Sequence, residues 1–363
     1  MRVSRLIAGL GLALAVAAAA ALGGGPALAE EPLKVGFVYV TTVGDAGWTY
    51  QHDLGRKELE AALGDKVKIS FVESVPEGAD AERVIREYAA SGHKLIFTTS
   101  FGYMNPTIKV AKQFPKVVFE HATGYKRGKN VSTYLARFYE GRYLTGIVAG
   151  KMTKSNKIGY VAAFPIPEVV RGINAFTIGL RSVNPAAQVN VVWVSSWYDP
   201  GKEREAAETL IAQGADIITQ HTDSTAPVQA AEDKGVYAIG YHSDMSKYGP
   251  KAHLTAATHL WGGYYTKIAK AVLAGDWSSQ STWGGIGDGM IELAKFGPAV
   301  PGEVATLVTA KAKAIGAGEL HPFQGPVKDQ SGKVRVAAGS VMSDEDMLGF
   351  NWYVEGVVGK LPK

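Results

Sequence analysis

Aromatic, acidic and imidazole side chains recur at one kind of place in this sequence: the few residues that follow short runs of β-branched and aromatic residues. Trp48 and Tyr50 come after the run 34–40, behind Gly44-Asp45-Ala46-Gly47. Phe101 follows 94–99. Glu168, Trp197, His221 with Asp223, and Asp244 just past His242 follow four later runs. Trp and Phe faces can stack on a flat heterocycle or on a sugar, at about 1–3 kcal/mol per ring by analogy with stacked nucleobases. Nearby carboxylates accept N–H or O–H hydrogens and orient the stacked ring. This is binding chemistry. The same residues also have plainer roles: an aromatic at a strand end packs between lobes, and Asp45 and Asp199 suit helix caps.

The signatures of catalysis are missing. Gly44-Asp45-Ala46-Gly47 is not G-x-G-x-x-G, and neither a Walker A pattern nor a G-x-S-x-G elbow occurs. The absence of cysteine excludes a disulfide framework, a thiolate metal site and a cysteine nucleophile. The eight histidines form neither H-E-x-x-H nor H-x-H. His121, His221 and His242 all follow strands and could in principle converge on a metal, although hydrogen-bonded rim or core histidines is the plainer reading. Glu168, Asp223 and Asp244 offer acid pairs for glycoside hydrolysis, but their separation cannot be read from sequence. We expect binding without a catalytic residue, cofactor or metal.

Strand ends matter because open α/β sheets bind ligands outside the carboxyl ends of their strands. The alternation supports such sheets. Strand-like runs at 34–40, 67–73, 94–99, 116–121 and 131–137 are separated by helical patterns at 50–63, 80–91 and 106–114, with a helix at 140–153 after the last. The pattern then restarts, with strands at 158–163, 188–195, 217–221, 236–241 and 254–258 and helices at 167–182, 200–213, 225–234 and 263–273. Mostly continuous apolar runs are expected of strands covered on both faces. The fold class is therefore α/β, with two doubly wound units. At 363 residues the length also suits two domains. The net charge of +4 is scattered along the chain and gives no reason to expect nucleic-acid binding.

The amino terminus has a different character. Arg2 and Arg5 precede an apolar stretch over 6–22, and Ala27-Leu28-Ala29 supplies an A-x-A site. This predicts a cleavable signal peptide over 1–29 and an exported protein. That stretch of 17 residues is short for a membrane span, and no later segment reaches the roughly 18 apolar residues that a span needs.

Several ordered stretches carry a resemblance. Gly44-Asp45-Ala46-Gly47-Trp48-Thr49-Tyr50-Gln51, Phe97-Thr98-Thr99-Ser100-Phe101-Gly102-Tyr103, Arg142-Tyr143-Leu144-Thr145-Gly146, Trp197-Tyr198-Asp199-Pro200-Gly201-Lys202, Gln213-Gly214-Ala215-Asp216-Ile217-Ile218 and Lys234-Gly235-Val236-Tyr237-Ala238-Ile239-Gly240, followed by Ser243-Asp244, lie between residues 33 and 261. In this order they resemble the basic membrane protein family, the PnrA-like solute-binding proteins of ABC transporters. The resemblance implies a type I periplasmic-binding-protein fold of two α/β lobes with a multi-crossing hinge. We expect lobe 1 at 30–155 plus 256–280 and lobe 2 at 156–255 plus 281–363. It also implies a monomeric periplasmic receptor that delivers a small molecule to a membrane permease.

The family holds a purine between two aromatic rings, at positions matching Trp48 and Trp197, and its ligand-facing aspartate matches Asp244. Four positions depart from the family pattern. Thr49, Thr123 and His259 stand where the family has Asn, Asp and Lys, and Asp223 stands where it has Gly. These positions would hold the sugar and base of a nucleoside, so a free, adenine-like purine base is favoured. A nucleoside or a sugar-like solute remains open in the same fold, and an exported nucleoside hydrolase is a more distant alternative. The expected contacts are Trp48 and Trp197 as the sandwich, with Asp244, Asp223 and Glu168 as acceptors. Phe101 and Trp261 would form walls, with Tyr50 and His221 as lesser contacts.

Overall fold

The structure, a computed structural model, describes residues 31–362. The predicted signal peptide lies outside them. Strand β1 (Leu33–Val38), helix α1 (Trp48–Leu63), β2 (Val67–Val72), α2 (Ala79–Ala90), β3 (Leu95–Thr98), α3 (Met104–Ala111), β4 (Val118–Ala122) and β5 (Val131–Ala136) build a first unit. The chain then crosses into a second unit. This comprises α4 (Phe138–Met152), β6 (Lys157–Ala162), α5 (Pro167–Val183), β7 (Gln188–Trp193), α6 (Pro200–Ala212), β8 (Ile217–His221), α7 (Ala226–Lys234), β9 (Tyr237–His242) and β10 (His253–His259). It returns for α8 (Gly262–Ala274) and β11 (Ser281–Gly284). It then goes back for β12 (Ile291–Leu293), α9 (Gly302–Gly316), the small hairpin of β13 (Val327–Lys328) and β14 (Val334–Val336), α10 (Asp344–Leu348) and β15 (Val357–Val358).

The first sheet has the order β11-β5-β4-β3-β1-β2 and is parallel throughout. The second has the order β12-β10-β9-β8-β6-β7-β15, with β12 alone antiparallel to its neighbour. Every residue of β3, β5, β8 and β10 is buried, as strands covered on both faces require. Helices close the faces by ordinary amphipathic burial: α2 turns Ala81, Val84, Ile85 and Ala89 inward. Among the described residues no helix is long and apolar enough to cross a membrane.

The lobe boundaries differ from the expected ones. Helix α4 is buried from Phe138 to Gly150 and needs cover on every side, which α5, α9 and β10 supply. A Cβ at Gly179 of α5 would lie 2.0 Å from the Tyr143 carbonyl oxygen, so glycine allows the two backbones to touch. This packing draws α4 into the second unit, and the first crossing falls at Arg137 instead of 155–156. The second follows β10, at 260–261, and the third follows β11, which pairs with β5. The three crossings are bonded side by side. Arg137 N donates to the Gly284 carbonyl at 2.7 Å, and Leu260 N to the Met290 carbonyl at 3.1 Å. The Glu140 carboxylate accepts from Ile286 N at 2.7 Å.

Candidate ligand-binding site

The carboxyl ends of both sheets face one cleft. Its first-lobe wall is Val40, Trp48, Ser100, Phe101 and Thr123, from the loops after β1, β3 and β4. Its second-lobe wall is Glu168, Trp197, His221, Asp223 and His242, from the ends of β6, β7, β8 and β9. The cleft holds about 340 Å³ counted out to its open mouth. Much of that space is open to solvent, and the walls themselves stand close together. Two lining residues have left-handed backbone without being glycine, Thr123 at φ 62° and His242 at φ 68°. Strain of this kind persists where the surrounding structure fixes it, and it clusters at ligand sites.

Trp48 opens α1 directly after Gly47 and is 7% exposed. Its indole N–H donates to the Thr99 carbonyl at 2.7 Å. His52, His242 and Trp261 stand near-perpendicular to it at centroid distances of 4.3, 5.3 and 5.8 Å, which fixes its plane. Trp197 is half-buried, and its ring meets Phe164 edge-on at 5.0 Å. One tryptophan is thus clamped in place, while the other sits on a loop.

Two carboxyl–imidazole pairs line the second-lobe wall. Glu168 Oε1 lies 3.5 Å from His221 Nε2, and Asp223 Oδ1 lies 3.2 Å from His242 Nε2. Burial holds the His221 imidazole down at about 4 and the His242 imidazole well below its ordinary value. Burial pushes the Asp223 carboxyl well above the usual carboxylate range, and repulsion from Glu203 and Glu168 adds to it. Near neutral pH both imidazoles are therefore neutral, and the same burial favours the protonated form of the Asp223 carboxyl.

The lobes touch at the mouth of the cleft. Gly47 N donates to Ser243 Oγ at 2.8 Å. The Asp45 carboxylate accepts from Lys247 Nζ at 2.5 Å and from the Tyr248 hydroxyl. Asp45 crosses the boundary and makes no side-chain cap on α1, whereas Asp199 caps α6 by accepting from Lys202 N at 3.1 Å.

A family model described as "ABC transporter substrate-binding protein PnrA-like" matches residues 33–315. The chain belongs to this PnrA-like family. It is 56% identical over 340 residues to a purine-binding protein of Brucella abortus, covering 94% of this chain and 97% of that one. It is 40% identical over 341 residues to an ABC transporter protein of Haloferax volcanii named for glucose binding, covering 94% and 84%. A solved ABC transporter solute-binding protein of Aeropyrum pernix superposes with a TM-score of 0.69 over 89% of this chain and all of that one, at 19% identity. The type I periplasmic-binding-protein fold is thereby shown.

Of the residues expected in a PnrA-like pocket, the structure brings Trp48, Trp197, Asp223, Glu168, Phe101 and His221 to the cleft. It places three elsewhere. Asp244 is exposed, and its Oδ1 accepts from Ser246 N at 2.8 Å in a local turn. Trp261 is 1% exposed and lies behind Trp48, stacked on His52 at 4.7 Å. Tyr50 is half-buried on α1 and does not line the cleft. His121 is bonded to Thr98 Oγ1 at 2.9 Å away from the cleft, so the three strand-end histidines do not converge. Among the described residues no His, Cys, Asp or Glu group is arranged to hold a metal ion. Val40, Ser100 and His242 line the cleft without having been singled out as contacts, and Thr123, one of the four departures from the family pattern, lines it as well. Position after a strand was the available signal, and the left-handed backbone of Thr123 and His242 leaves no mark in residue type.

Proposed function

We propose that the protein is the exported receptor of an ABC importer, and that it captures a free, adenine-like purine base and presents it to a membrane permease. Trp48 and Trp197 hold the ring by stacking. Asp223 and Glu168 accept its N–H hydrogens, and the paired imidazoles of His242 and His221 complete the hydrogen-bonding edge. Phe101 closes the side wall. The single observation carrying the reading is that two tryptophans, one from each lobe, line the same compact cleft as two buried carboxyl–imidazole pairs. The 56% identity to a protein named for purine binding supports the ligand class. Thr123 and Thr49, at positions of family Asp and Asn, support a base over a nucleoside. The leader over 1–29 supports a periplasmic site of action. The protein acts as a monomer and turns nothing over.

Ultraviolet absorbance of small molecules released on denaturing freshly purified protein tests this reading. A purine spectrum is expected. A second reading, a sugar-like solute, is favoured by the 40% identity to the glucose-named relative, and it would give a released ligand without ultraviolet absorbance. Conversion of a nucleoside by the pure protein would replace both with a hydrolase.

A further inference from the structure

Helix α5 contains a glycine that packing does not require. A Cβ at Gly172 would meet nothing closer than His221 Nδ1 and the Tyr160 hydroxyl oxygen, both at 3.6 Å, and Arg142 Cγ at 3.7 Å. The room for a methyl is there, and alanine is the better helix former. Three side chains surround this space, and all are buried: Arg142 and Tyr160 at 0% exposure and His221 at 2%. The Tyr160 hydroxyl and His221 Nδ1 stand at the space without a protein partner, and Arg142, which meets it through Cγ, has an unpartnered Nε two bonds further along its side chain. The other nitrogens of Arg142 are engaged, Nη2 with the Gln220 carbonyl at 2.5 Å and Nη1 with Thr219 Oγ1 at 3.4 Å. Buried polar atoms are satisfied by protein or by ordered water, and a buried water typically has about three partners.

We propose that a water molecule is bound beside Gly172, bridging Arg142, Tyr160 and His221, and that Arg142 and Tyr160 act through it as positioning residues for His221. The donor inventory fixes the direction of each bond. Arg142 Nε–H can only donate, so the water accepts from it. Tyr160 donates to the second lone pair. One water hydrogen then goes to His221 Nδ1, which becomes an acceptor and leaves the imidazole proton on Nε2. That N–H faces Glu168 Oε1 at the cleft wall. The wall thereby offers a donor beside an acceptor, the complement of a heterocycle edge carrying a ring nitrogen next to an N–H. The affinity consequence rests on the purine reading above, whereas the water and the tautomer do not.

The test is nitrogen-15 NMR of histidine-labelled protein without ligand, together with a high-resolution crystal structure and adenine titration. Wild-type His221 is expected as the Nε2–H tautomer, with water density beside Gly172. Gly172→Ala fills the space, and Tyr160→Phe removes one partner. Each is expected to shift the His221 signals toward mixed tautomers and to weaken adenine binding about tenfold. An Nδ1–H tautomer in the wild type, or no water density there, overturns the proposal, and both are read on the wild type even if a variant does not fold. Unchanged His221 signals in folded variants overturn it as well. If adenine binds none of the proteins, the purine reading fails, while the spectrum and the density still decide this one.

Discussion

The backbone N–H of Gly47 donates to the Ser243 hydroxyl at 2.8 Å, joining the two lobes at the residue that immediately precedes Trp48. Gly47 sits at φ 94°, and a Cβ there would lie 2.3 Å from the Asp223 carbonyl oxygen. The loop that carries the clamped tryptophan is thus laid directly on the residue that carries a candidate acceptor. Closing the lobes and assembling the site are the same event in this geometry.

Gly47→Ala separates the two. A side chain there clashes with Asp223 only when the lobes are together, and overpacking of this kind costs about 1–3 kcal/mol. We expect roughly ten- to hundredfold weaker binding by calorimetry, together with a lower ligand-free midpoint, because alanine is strained at φ 94°. Asp45→Ala removes an exposed ion pair and should change affinity far less. Wild-type affinity in Gly47→Ala would show that binding does not need this closed contact.

The tryptophans should contribute unequally. Trp48→Ala and Trp197→Ala each remove a stacking face worth about 1–3 kcal/mol. Phenylalanine should rescue Trp197 better than Trp48, because Trp48→Phe also leaves the Thr99 carbonyl without its indole donor. Fluorescence titration of the four variants checks the order, and equal rescue at both positions would remove the distinction.

Asp223 should behave as a neutral carboxyl. Its raised pKa means that Asp223→Asn preserves a neutral acceptor beside His242, whereas Asp223→Leu does not. Near-wild-type affinity for Asn and a loss of about tenfold or more for Leu are expected at pH 7. An Asn variant as weak as Leu would mean that the group binds as a charged carboxylate.

Away from the cleft, buried Glu120 accepts from the Tyr264 hydroxyl at 2.6 Å and the Trp277 indole at 2.7 Å, and burial raises its pKa to about 7. The folded state therefore holds a proton that the unfolded chain has released above about 4.5. This contribution to stability is complete below that value and is lost as pH rises through about 7. Urea unfolding at pH 5 and pH 8 should show the wild type losing stability, on the order of a few kcal/mol at most. Glu120→Gln should lose less. Equal losses in the two proteins would show that Glu120 is ionised within the fold.

Much of this was legible because strand ends in parallel sheets carry ligands wherever the fold recurs. The runs ending before Trp48, Phe101, Trp197 and His221 could be read from β-branched and aromatic residues, and those four residues do meet at the cleft. The misplaced residues failed for local reasons. Asp244 found a backbone donor two residues on, and Trp261 found His52 to stack against, neither of which periodicity reveals. The lobe boundary at Arg137 was hidden because α4 is buried from Phe138 to Gly150, including Glu140 and Arg142, so its pattern does not say which sheet covers it. The place of His242 in the cleft was hidden because its positive φ is imposed by tertiary structure on a residue type that rarely adopts it.

The most direct test of the free-base reading is calorimetric titration of mature protein that has been unfolded, stripped and refolded. Adenine, hypoxanthine, guanine, adenosine, inosine and glucose would be compared. The account predicts saturable 1:1 binding of at least one base, with its nucleoside at least tenfold weaker. Tighter binding of adenosine or inosine than of the bases, or of glucose alone, would contradict it.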